Sequence, residues 1–117
     1  MKYAILEEAA ARASRNLHAG NWCRFSMAQM ADGRGVGATS DLAVRWCAAG
    51  RLTLELHRLD MCVIEIDKVF MRGIPALGMH GSSLAQTNDD LGMDEARDLL
   101  LAISIEAGKV RDDEIPA

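Results

Sequence analysis

The hydrophobic positions fall into a clear helical rhythm at both ends of the chain and lose any single period in between. Near the start, Tyr3, Leu6, Ala10, Ala13 and Leu17 recur at alternating spacings of three and four, which predicts a helix over residues 2–17. Glu8 and Arg12 stand on its other face in the favourable i,i+4 order. The many alanines give high helix propensity and allow a neighbour to approach closely. Gly20 suits a left-handed position closing this helix. At the far end, Ala96, Leu99, Leu100, Ile103, Ala107 and Val110 form the inner face of a last helix that starts near Met93 or Asp94. Asp94, Glu95 and Asp98 lie near its N-terminus, where the helix dipole favours negative charge.

The middle yields less readily. Trp22, Phe25 and Met27 are expected to anchor an irregular segment on the core, and the glycines of "ADGRGVGATS" read as a surface loop. Its Gly-x-Gly lacks both the spacing and the preceding strand of a phosphate-binding turn. Ser40 is expected to cap a second helix. The apolar face of that helix would carry Leu42, Trp46, Ala49, Leu52, Leu56 and Leu59, with Asp41/Arg45 and Arg51/Glu55 pairs on its wet side. Gly50 interrupts that pattern at a cost of about 1 kcal/mol against alanine, for which the close approach of another backbone is one of the possible reasons. Residues 60–72 fit either a helix or a strand. A helix capped by Asp60 and closed by Gly73 is preferred, because no partner strand is evident. Ile74 to Gly81 reads as a loop, Ser83 to Thr87 as a helical turn, and "RDDEIPA" as a frayed polar tail. The sum is an all-α fold: one domain over residues 1–117, a compact bundle of about four helices with an irregular segment after the first.

Composition refines this picture. Half the residues are apolar but few are aromatic, so seven methionines must help to fill the core. The net charge of −4 is uneven, about +3 over residues 1–59 and −7 over residues 60–117. Such asymmetry points to a partner of opposite charge or to attraction between the halves. No basic patch with interleaved aromatics favours direct nucleic-acid binding. A helix-turn-helix formed by residues 83–110 would present Asp94, Glu95 and Asp98 to phosphates, which is the wrong sign. No apolar stretch is long enough to span a membrane. Three cysteines without a Cys-x-x-Cys pair suit free thiols and a cytoplasmic setting.

Candidate chemistry is sparse. His18/Cys23 and His57/Cys62 do not match zinc spacings, and no metal or cofactor is expected. Cys47, placed inside a helix beside Trp46, is expected to be inert, whereas Cys23 is the more exposed thiol, with His18 within reach if the loop folds back. Asn88, Asp89 and Asp90 are consecutive, unlike the alternating ligands of a calcium loop, and are read as a turn. Trp22, Trp46 and Asn88 are expected to be structural anchors. Asp89, Asp90, Asp94 and Asp98 are the candidate interaction residues, through their charge.

Four segments together resemble a family of small uncharacterised proteins from actinobacteria and their phages: "ILEEAAARA", Asn21-Trp22-Cys23, "AVRWCAAG", and Asn88-Asp89 followed by "EARDLLLAI". Thr87 stands where that family shows an aromatic, and Met93-Asp94 where it opens the last helix with Ser or Thr. The resemblance implies a shared architecture and a phage or mobile-element setting, and no particular reaction. The expected function is that of a non-enzymatic interaction module, such as an inhibitor of a host complex that handles nucleic acid, its acidic half occupying a basic groove. The alternatives are a small enzyme or metal-binding protein using Cys23, His18 or the Asn88–Asp90 corner, and a self-associating structural protein.

Overall fold

The computed structural model describes residues 1–80 and 83–117. Helix α1, Tyr3–Asn16, and helix α6, Met93–Lys109, follow the two helical patterns to within about a residue. α1 packs chiefly on α6 and next on α2, Ala48–Arg58. Ala9, Ala10 and Ala13 of α1 and Ala96 and Ala107 of α6 are fully buried, and their short side chains let the two backbones come close. Polar groups stitch the seam: Ser104 Oγ donates to the Glu7 carbonyl, Ser14 Oγ to that of Arg97, and Arg97 Nε returns to that of Ser14. Leu6, Leu52, Leu56, Leu100 and Ile103 join these alanines in a single core.

The fold is mostly helical but not all-α. Three two-residue strands, β1 (Ala28–Gln29), β2 (Gly35–Val36) and β3 (Arg45–Trp46), form an antiparallel sheet of order β2-β1-β3. Ala28 lies opposite both Val36 and Trp46. Strands this short leave no alternation in the sequence to detect. Part of the glycine-rich loop is therefore β2, and the second helix begins at Ala48 rather than at Ser40. Trp46 sits on β3, and Leu42 is exposed. Arg45, expected to pair with Asp41, bonds the carbonyls of Met30 and Ala31 instead. Gly50 shows why the sheet can dock on α2: a Cβ there would lie 2.7 Å from the Met27 carbonyl carbon, a distance that side chains do not tolerate.

Residues 60–72 are helical in the main. α3, Val63–Lys68, is capped by Cys62, because Asp60 has a φ of 66° and cannot serve as the cap. Gly73 does not end the segment. A single π turn, Val69–Gly73, carries the chain into α4, Ile74–Ala76, so the expected loop begins later. Its end at Gly81 lies outside the described residues. α5 runs over Ser83–Asp90, three residues beyond the expected turn, and so includes Asn88 to Asp90. The reversal falls at Leu91 and Gly92, whose φ is 104°. Gly20 lies in a 3₁₀ turn, Ala19–Asn21, not in a left-handed position. The C-terminal tail is tied down: Ile115 is buried and its amide donates to the Met1 carbonyl, while the N-terminal ammonium meets Glu114 at 2.6 Å.

Candidate functional site

Asn88 is fully buried in the last turn of α5 and uses its side chain completely. Its Oδ1 accepts from Trp22 Nε1 at 2.7 Å and from the Ala48 amide at 3.0 Å; its Nδ2 donates to the Cys23 carbonyl at 3.0 Å. One amide thus caps the free N-terminus of α2 and fixes the segment that enters the sheet. Trp46 is fixed through Nε1 to the Ala38 carbonyl, and the Arg51 guanidinium lies over its ring at 4.8 Å. Arg51 is buried with Glu55, not on a wet face, at 3.0 Å.

The four candidate acids are not equivalent. Asp89 is half-buried, and its Oδ1 accepts from the Phe25 amide and from Asn88 Nδ2. That bond holds Phe25 in the left-handed region at a φ of 64°, a costly conformation for an aromatic residue. Asp90 is exposed at the end of α5. Asp94 and Asp98 are exposed on α6, where they border a shallow depression with Arg97, Ser14 and Leu101.

The thiols depart from expectation. Cys23 is buried, with its Sγ on the Ser26 carbonyl at 3.6 Å. Burial first, and the neighbouring Cys47 second, push its pKa up to about 11. Cys47 is the N-cap of α2, not an interior helix residue; its Sγ accepts from the Gly50 amide, and burial raises its pKa as well. His18 is turned to its own loop, with Nδ1 accepting from the Gly20 amide, and is not brought to Cys23. His57 and the exposed Cys62 do border one depression, along with Asp60. Among the described residues, no group of three or more His, Cys, Asp or Glu side chains is arranged to hold a metal.

A further concavity, lined mostly by apolar residues, lies elsewhere. It is an open groove of about 490 Å³ between α2, α3, the π turn, Ala85 of α5 and residues that flank the strands, Met27, Ala38 and Thr39. Ala38, Ala49 and Ile66 form its buried floor. Thr53 contributes little polarity, because its hydroxyl donates to the Ala49 carbonyl of its own helix. The rim is apolar and uncovered: Met27 is 42% exposed, Val63 71% and Met71 76%. Phe70 and Met71 reach the groove from the π turn, an irregularity often found at functional sites. Met27 and Ala85 also line a second depression of about 200 Å³ with Phe25, Cys47 and Asp89. Phe25 is 78% exposed there, not an anchor on the core. The two depressions adjoin across Met27 and Ala85 and together make up the trough. His57 and Asp67 stand at one part of it and Asp89 at another; among the described residues, no Lys or Arg lines either.

Sequence reasoning missed this trough. A usable signal was present: six of the nine residues from Val63 to Met71 are apolar, more than one face of a short helix can bury. No helix among the described residues is long and apolar enough to cross a membrane. Comparison of the chain with protein-family models, curated proteins and solved structures finds no match.

Proposed function

We propose that the protein is a non-enzymatic interaction module and that the apolar trough is its docking surface. The observation that carries this is the uncovered rim. Met27, Val63, Met71 and Phe25 are large apolar side chains left in water around one concavity, an arrangement typical of surfaces that a partner covers. Methionine suits such a surface because its flexible, polarisable side chain adapts to what it meets. The exposed acids Asp90, Asp94 and Asp98 add a field that steers a positively charged partner and sets the salt dependence of association. The narrower proposal, inhibition of a host complex that handles nucleic acid in a phage or mobile-element setting, rests on that acidity and on the family resemblance.

A pull-down that compares the native chain with Val63→Asp/Met71→Asp tests the reading. Both positions are exposed, so the fold is expected to persist, and circular dichroism verifies it. Partners retained by the native chain are expected to be lost by the variant. Identical capture by both would remove the trough from the function.

A further inference from the structure

We infer that the trough receives an amphipathic helix of a partner protein, one whose apolar stripe is flanked by Lys or Arg. The inference rests on the reading of the trough as a docking surface and adds the chemistry of the occupant. Three features select it. The first is extent: two depressions adjoin across the shared Met27 and Ala85, which suits an elongated occupant better than a compact one. The second is the rim: Val63, Met71 and Phe25 project outward, so a small molecule filling the floor would leave them wet, whereas a helix laid along the trough covers them. The third is charge. Asp67 and Asp89 line the trough without a Lys or Arg among the described lining residues, and basic flanks on the occupant complement them.

Charge also argues against one arrangement of a second copy, in which α6 enters the trough. The exposed apolar pair on α6, Leu101 and Ile105, lies on the helix that carries Asp94 and Asp98, which would bring like charges toward Asp67 and Asp89.

The test is selection of displayed random peptides on the full chain, with Val63→Asp/Met71→Asp as the counter-selection target. Met71→Gln replaces that variant if circular dichroism shows it to be unfolded. Enriched peptides are expected to carry large apolar residues at i, i+3 or i+4, and i+7 between Lys or Arg. Synthetic copies should gain helical circular dichroism on binding. Their affinity should fall about tenfold or more with Met71→Asp. It should also weaken with Asp67→Lys and with added salt. Enrichment of extended or acid-flanked peptides would overturn the inference while leaving the docking reading in place. Failure to enrich any trough-dependent peptide, together with a monomer in sedimentation and a pull-down unchanged by Val63→Asp/Met71→Asp, would overturn both. A dimer in sedimentation that Met71→Asp dissociates would assign the trough to a second copy and overturn the inference. Saturable binding of a fatty acid, without peptide enrichment, would do the same in favour of a small ligand.

Discussion

The α1–α6 seam and the trough between α2 and α3 are both apolar, yet they are built in opposite ways. The seam uses alanine and serine, closes on itself and bonds each hydroxyl across the interface. The trough uses methionine, valine and phenylalanine and leaves them facing water. Small residues allow two backbones to approach until nothing more can enter, whereas long ones hold the walls apart. Apolar character alone thus does not separate closed core from open surface; size and coverage do.

Substitutions can break or sharpen this contrast. The largest effect is expected where packing leaves no room. Gly50→Ala sets a methyl group against the Met27 carbonyl and should cost about 3 kcal/mol or more in urea unfolding. A neutral outcome would show that the sheet yields on α2 and that this boundary is looser than the seam. Next comes Asn88→Ala, which strands the Ala48 amide, the Trp22 indole N–H and the Cys23 carbonyl. About 2–4 kcal/mol of lost stability is expected in the same measurement.

The thiols give a smaller and graded readout. Cys62 should react with a disulfide reagent in the native protein, while Cys23 and Cys47 react only on unfolding. Because Cys23 is raised from 9.0 to about 11, the unfolded chain ionises first as pH climbs. The associated stability is present below the ordinary thiol value and is lost between it and the folded value. Chemical denaturation across that alkaline window checks the sign. The smallest effect belongs to the trough: Val63→Asp and Met71→Asp should each shift stability by no more than about 0.5 kcal/mol, while the proposed docking is expected to weaken about tenfold or more. A large destabilisation would make the trough part of the core after all.

The helices at the two ends were legible because their apolar positions keep a long, regular spacing from Tyr3 to Leu17 and from Ala96 to Val110. The start of α2 was not, since Leu42 and Trp46 continue its period by coincidence although they precede its cap at Cys47. The tail misled for the converse reason: "RDDEIPA" shows one apolar anchor, Ile115, and the backbone bonds that tie Arg111, Asp113 and Ile115 to residues 1–4 have no sequence signature. The trough eluded the sequence because its shape depends on features with no local signature. Phe25 owes its left-handed backbone to Asp89, far along the chain, and the π turn arises inside an ordinary helical pattern. Trp22, Trp46 and Asn88 could be singled out, but not the bonds that join Asn88 to Trp22 and to α2.

That junction has a consequence for the order of folding. The partners of Asn88 lie 66, 65 and 40 residues away along the chain, so its bonds form only after several long loops have closed. The α1–α6 pairing spans an even longer separation, 83 to 97 residues, but can begin from helices that form locally, whereas the Asn88 bonds join a loop and a helix start. The expectation is that its network forms late on the way to the native state. Loss of the amide should accelerate unfolding and leave the refolding rate nearly unchanged, which places the bolt of the structure on the native side of its barrier.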